Sequence, residues 1–161
     1  MAEDSMTIRA GRPQLAIEEY TRLVGEKPNE LEYRLGLANA LGLSGDTKRA
    51  SEEYKRVQSA GGQDPRPWVS YGALLSQSGQ DEEAAKAYRE AITRDKNNPF
   101  ALNNLAYLMA RKRQDLQGAL TYAEQAKRSL PRSLAINDTL AYIYLLLGMN
   151  LEGEAREFAG T

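Results

Sequence analysis

Apolar side chains return along this chain at helical spacing, in paired blocks, and the pairs themselves return at a step of 34. In residues 65–98, Trp68, Tyr71, Gly72 and Leu75 fall at i, i+3, i+4 and i+7, which places them on one face of a helix. After a break at Ser78, Gly79 and Gln80, a second stripe follows: Ala84, Tyr88, Ala91 and Ile92 at i, i+4, i+7 and i+8. This pattern predicts two antiparallel helices. Gly79 is suited to the left-handed conformation that ends the first, and Asp81, Glu82 and Glu83 lie where the dipole of the second is positive. Asp64 before Pro65, and Asn98 before Pro99, predict capped helix starts. Small residues at Gly72 and Ala84 allow close backbone approach, while Trp68 and Tyr88 fill the wider ends of the wedge.

Gly79 is preceded by Gly45 and Gly11, Tyr88 by Tyr54 and Tyr20, and Ala84 by Ala50 and Ala16, each at steps of 34. Three residue types sharing one period indicate a repeat array, in which each unit buries its apolar face against its neighbours. We divide the chain, as one array over 1–161, into a partial first unit (1–30), complete units at 31–64, 65–98 and 99–133, and a truncated last unit (134–161). The first contributes Pro13, Ala16, Tyr20 and Leu23 to a helix ending at Pro28. The second carries Leu37, Ala38, Leu41, Ala50, Tyr54 and Val57 in register, with Asn29 and Asp46 as expected caps and a soft join at Ala60, Gly61 and Gly62. The unit at 99–133 keeps Leu105, Ala106, Met109, Ala119, Ala123 and Ala126 but is one residue longer, the excess falling in the turn around Arg113 to Leu116. Ser133 is the expected cap of the last unit, where Leu140, Ala141, Tyr144 and Gly148 match; its second helix, about Asn150 to Ala159, keeps Leu151, Ala155 and Phe158 on one face and is expected to fray.

The arrangement W-x2-Y-G-x2-L, then Gly79, then A-x3-Y-x2-A resembles the tetratricopeptide repeat. Tyr71 and Leu75 exchange the family's usual apolar types, Lys96 stands where proline is common and Pro131 keeps the proline slot. The resemblance implies an all-α fold, a right-handed α-solenoid of antiparallel helix pairs whose concave groove holds peptides or protein surfaces. Arg34 replaces the tryptophan and is expected to weaken packing on the preceding hairpin. Glu3, Asp4 and Thr7 stand where the family shows Leu, Gly and Tyr, so the chain reads as starting inside a repeat, either as an excised segment or with a capping helix that has lost the pattern.

Composition narrows the function. The 21 Lys and Arg against 22 Asp and Glu leave a net charge of −1, with no field to attract nucleic acid. Histidine and cysteine are absent, which removes thiol nucleophiles, histidine bases and the commonest zinc ligands; no catalytic constellation, metal site or cofactor is expected. The longest apolar run, Leu140 to Leu147, falls far short of the roughly 20 residues a membrane span needs, and the opening MAEDSMTIRAGR lacks a signal-type apolar core. No membrane insertion is expected, and the compartment stays open.

In such a stack the first helix of each pair lines the concave surface. Its outward positions give the candidate peptide-binding residues Asn39, Arg66, Ser70, Asn103, Asn104, Tyr107, Arg111, Asp138 and Tyr142, on a floor that also includes Glu32, Leu35, Leu43, Val69, Ala73, Gln77, Thr139, Leu145 and Leu146. A carboxamide offers a donor and an acceptor together, so Asn103 and Asn104 can grip an extended backbone whatever its sequence; the family resemblance implies this role for Asn104. One family subgroup clamps a chaperone's C-terminal carboxylate. Asn39 matches one clamp position, but Leu35, Ser70, Phe100 and Asn104 break the set, so that recognition is not expected.

Arg111, Lys112 and Arg113 close a helix, where cations complement the dipole; the competing reading is an acidic-peptide or phosphate site. Adjacent carboxylates at Glu18 and Glu19, Glu52 and Glu53, and Glu82 and Glu83 point about 100° apart and read as solvated faces rather than acid–base dyads. Ile143, Leu145, Leu146 and Leu147, with Phe158, form an apolar surface that missing repeats, a second copy of the chain or a partner helix could cover. The expected function is a non-catalytic module that binds an extended peptide or helix from a protein partner, as part of a scaffold or adaptor. The alternative is a structural or self-associating segment of a longer array.

Overall fold

The computed structural model describes residues 12–148. These form eight helices and no strand: α1 (Pro13–Glu26), α2 (Leu31–Ser44), α3 (Thr47–Ser59), α4 (Arg66–Gln77), α5 (Asp81–Arg94), α6 (Pro99–Arg111), α7 (Leu116–Ser129) and α8 (Leu134–Leu146). Each packs on its neighbour in sequence, and α2, α4, α6 and α8 also touch one another in succession. This second set of contacts makes the array a solenoid with one continuous face of first helices.

The turns show how the chain reverses. Gly45, Gly79 and Gly148 sit at equivalent bends with φ of 87°, 74° and 70°, the left-handed region where a side chain is strained. At the first two, the amide one residue on reaches back five positions, Asp46 to the Leu41 carbonyl (3.0 Å) and Gln80 to that of Leu75 (2.9 Å). After α6 no glycine is available, and Arg113 takes the left-handed role at φ 52°, with Gln114 donating to the Met109 carbonyl at 2.9 Å. The extra residue of this turn lies between Arg113 and the cap, Asp115. Gly11 lies outside the described residues, as do the opening half-repeat and the helix expected at Asn150 to Ala159.

Side chains of Asp46, Asn98, Asp115 and Ser133 accept from the amides of Arg49, Ala101, Gly118 and Ile136. Two expected caps differ. Asn29 lies one residue too early, and Glu30 opens α2 with no side-chain bond. Pro65 is itself the boundary residue of α4, so Asp64 bonds the Arg66 amide from outside at 2.9 Å.

Rings against glycines set the spacing between helices. A Cβ on Gly72 would meet the Tyr88 ring at 2.6 Å, and one on Gly36 would overlap the ring of Tyr20 from the preceding helix. Tyr20 thus packs across units and Tyr88 within its own. The interior then divides into three contiguous clusters, around Leu41, Leu105 and Ile143, each fully or almost fully enclosed.

Arg34 departs from the expectation of weakened packing. Its guanidinium bonds Glu53 of α3 at 2.8 Å and the Pro28 carbonyl at 3.1 Å, so it ties its own hairpin to the preceding link. Glu53 is correspondingly buried, 8% exposed, rather than solvated, and Arg56 pairs with its other oxygen. At the matching position of the next unit, Trp68 lies under the Arg94 guanidinium, 4.4 Å from ring centroid to carbon. Ile143 is corrected in the same sense. It is wholly buried in the C-terminal cluster among Leu140, Ala126 and Leu102, so it is not part of an outer surface; Leu145 (72% exposed) is, and Leu146 and Leu147 are half-covered. Phe158 lies outside the described residues.

Candidate functional site

The four first helices carry equivalent positions that form ladders along the array. One runs Gly36, Ser70, Asn104 and Thr139; the next runs Asn39, Ala73, Tyr107 and Tyr142. Between α2 and α4 three of these residues, Gly36, Ser70 and Ala73, are small, and two depressions lie there. One of about 510 Å³ is lined by Tyr20, Glu32, Asn39, Arg66, Ser70 and Phe100 among others. The second, of about 400 Å³, shares Asn39 and Ser70 with it, so the two adjoin at these side chains, and together they make up the trough along α2 and α4.

The polar floor is held by tyrosines from the second helices. The Tyr54 hydroxyl donates to Asn39 Oδ1 at 2.7 Å and lies within hydrogen-bonding reach of Ser70, while Tyr88 stands in the same relation to Asn104 one unit later. Asn39 is left with its amide protons to offer. Burial pushes both phenols up to about 12, the bonds from Ser70 and from Asn104 pulling slightly the other way.

The sign follows from the direction of the shift. With the folded value above the ordinary 10.0, the protonated phenols stabilise the fold fully below pH 10, and that contribution is lost as pH rises towards about 12. In an ultraviolet difference titration Tyr54 and Tyr88 are therefore expected to ionise last, as the helical signal decays. Tyr54→Phe should remove one late-ionising group; an unchanged late limb would contradict the burial argument.

At the rim, Arg66 is bound by Asp64 (2.8 Å) and by Glu32 of the preceding unit, an arrangement that raises its basicity through the side-chain bonds from Asp64 and then Glu32. For Asp64, burial acts upwards but the bonds from Arg66 outweigh it, and its carboxyl titrates below the usual value. Beside this exposed ion cluster stands Phe100, 61% exposed.

Towards the C-terminus the same ladders become bulky. Tyr107 and Tyr142 have ring centroids 5.9 Å apart, and the Arg111 guanidinium lies 6.0 Å from the Tyr107 ring. Arg111 also pairs with Asp81, and Lys112 with Glu82, at the acidic N-terminus of α5. Cations at the end of α6 therefore neutralise the neighbouring helix start, which favours the structural reading of that basic run.

Of the nine candidate groove residues, then, Asn39, Arg66 and Ser70 line the trough, and Asn104, Tyr107, Arg111 and Tyr142 follow one another along α6 and α8. Asn103 and Asp138 do not line either depression. Asn103 keeps a buried Oδ1 without a partner, and Asp138 is exposed on α8. Leu35, expected on the floor, lines the larger depression although it is only 5% exposed, whereas Thr139, also 5% exposed, lines neither and back-bonds the Ala135 carbonyl at 3.0 Å. Sequence reasoning missed Tyr54 and Phe100 as site residues. The signal for Tyr54 was available in the period shared with Tyr88, which brings a hydroxyl to the equivalent first-helix position, Ser70 or Asn104, in successive units.

Among the described residues no three His, Cys, Asp or Glu side chains group as a metal site, and no helix is long and apolar enough to cross a membrane. The family model for the tetratricopeptide repeat matches residues 8–152. The chain belongs to the tetratricopeptide repeat family. Members of this family serve in general as protein-interaction scaffolds rather than catalysts. No curated protein sequence matches the chain.

Solved tetratricopeptide repeat structures share its fold. A protein from Parabacteroides merdae is 14% identical with a TM-score of 0.74, over 91% of this chain and 58% of that one, so the present chain spans little more than half of that protein. MamA is 17% identical with a TM-score of 0.74, over 89% of this chain and 84% of its own. YrrB, described as having an unusual peptide-binding site, is 14% identical with a TM-score of 0.68, over 91% of this chain and 75% of its own.

Proposed function

We propose that this tetratricopeptide repeat array is a non-catalytic scaffold whose first-helix face binds an extended segment of a protein partner. The observation that carries the reading is the pair of adjoining depressions along α2 and α4, which share Asn39 and Ser70, with the carboxamide of Asn104 and the exposed Tyr107 ring further along. Carboxamides such as those of Asn39 and Asn104 suit a peptide backbone, which repeats donors and acceptors, and aromatic surface supplies apolar area at low conformational cost. The description of YrrB as a peptide binder agrees with this use of the fold. Arg66 and Arg111 already hold acidic partners, so their role is to shape the rim rather than to capture a free carboxylate.

Affinity capture followed by titration with the captured partner tests the proposal. Asn104→Ala combined with Tyr107→Ala should weaken binding by about tenfold or more, since each removes a contact of the kind that dominates interfaces. The helical circular dichroism should persist. Unchanged affinity in a folded double variant would sink the groove assignment. Light scattering covers the self-association alternative: a mass that climbs with concentration, and is restored to monomer by Leu145→Glu, would favour it.

A further inference from the structure

We infer that the depression between α2 and α4 at Ala73 is a selectivity pocket for one uncharged, hydrogen-bonding aromatic side chain of the bound peptide, tyrosine being the natural occupant. The inference rests on the peptide-binding reading of the groove and adds to it where selectivity lies and for what.

Its basis is a gap in a ladder. Asn39, Tyr107 and Tyr142 each project a substantial side chain at the same position of their helices, whereas Ala73 contributes a methyl group. On the opposite wall Gly42 has no side chain, and a Cβ placed there would make only ordinary contact with Leu74 (3.6 Å) and the Tyr54 oxygen (4.0 Å). These two absences leave the volume of about 400 Å³. Two compact residues meeting across adjacent units make a hole of side-chain size without loosening the core beneath, since Leu41 and Leu74 stay buried.

The chemistry of the walls sets the occupant. Every lining residue is uncharged. The lining supplies no counter-ion for a peptide Asp, Glu or Lys, so a charged side chain gains only the contact of its apolar stem here. Leu43 and Leu74 offer apolar surface to a ring, while Asn39, Ser70 and Gln77 offer hydrogen bonds at its margin. The amide protons of Asn39 are unspent because its oxygen is occupied by Tyr54. An aromatic ring that ends in a hydroxyl uses both kinds of wall; an aliphatic side chain uses one.

The probe is N-acetyl-tyrosine methylamide, titrated into the folded chain while backbone amide shifts are followed by NMR, with the glutamate and lysine analogues as competitors. Saturable shifts are expected at Gly42, Ala73 and Gln77, with the charged analogues at least about tenfold weaker. Ala73→Leu, a substitution that suits a helix and fills the space, should abolish the saturation while its other amide resonances stay in place. Equal binding of the glutamate analogue, undiminished binding to Ala73→Leu, or no saturable shift at these amides would overturn the pocket. Saturation confined to Asn104 and Tyr107 would overturn it too, yet leave the peptide-binding reading of the groove standing.

Discussion

Leu105→Ala is expected to lower the unfolding free energy by about 3 kcal/mol and to break the single transition into two. Leu105 is wholly buried on α6 and packs in one cluster with Leu75 of α4 and with Ala84 and Tyr88 of α5. Truncation removes the transfer energy of the side chain and leaves a cavity that rigid helices close only in part. In a globular domain the loss would spread over the whole fold. Here each unit touches only its neighbours, so the loss falls on the coupling between the α4–α5 hairpin and the units that follow it. Trp68, the single tryptophan, reports on α4, while circular dichroism reports on all helices. Their urea midpoints should coincide in the parent and separate in the variant. Coincident midpoints in Leu105→Ala would mean that the array unfolds as one body, contrary to the nearest-neighbour picture.

Glu53→Ala is expected to cost about 3 kcal/mol, whereas replacing Glu53 and Arg34 together by leucine should cost under about 1 kcal/mol. The side chains are 11% and 17% exposed and 2.8 Å apart. Removal of the carboxylate strands the Arg34 guanidinium in a confined site with the Pro28 carbonyl as its remaining partner. Removal of both charges abolishes the desolvation cost as well as the attraction. A urea double-mutant cycle, run at low and high salt, measures the coupling. Because the pair is largely shielded from solvent, the coupling should change little with salt; a strong decline would place the pair at the surface instead.

These two sites also show where sequence reading succeeds and where it stops. Leu105 was legible because period and helical spacing agree at that position, and burial of repeated apolar positions is the only way such a unit is stabilised. Arg34 was misread. Its position in the repeat was right, but its partner, Glu53, lies on another helix, and no local rule connects 34 to 53. The same holds for the groove. The ladder of first-helix positions followed from the period, which is why Asn39 and Ser70 were expected on the face where the two depressions lie. Leu35 does line the larger depression, but Thr139 was misplaced, because its hydroxyl turns back onto the Ala135 carbonyl of its own helix and the residue is buried. Ile143 was misplaced because the run Leu140 to Leu147 is apolar on every side and carries no phase of its own.

The amino-acid sequence by itself determined the helical hairpins, their left-handed glycine turns and their arrangement in a row. Those features are local or periodic, and each is enforced by backbone sterics or by the repeated need to cover the same stripe. Only the tertiary structure decided which polar groups are already engaged. Tyr54 takes up the Asn39 oxygen, Asp64 and Glu32 take up Arg66, and Asp81 takes up Arg111. The pairing of Tyr54 with Asn39 depends on how the two helices of one hairpin pack. Those of Glu32 with Arg66 and Asp81 with Arg111 depend on how far one hairpin turns against the next, a rotation set by rings such as Tyr20 resting on Gly36 and absent from any single repeat.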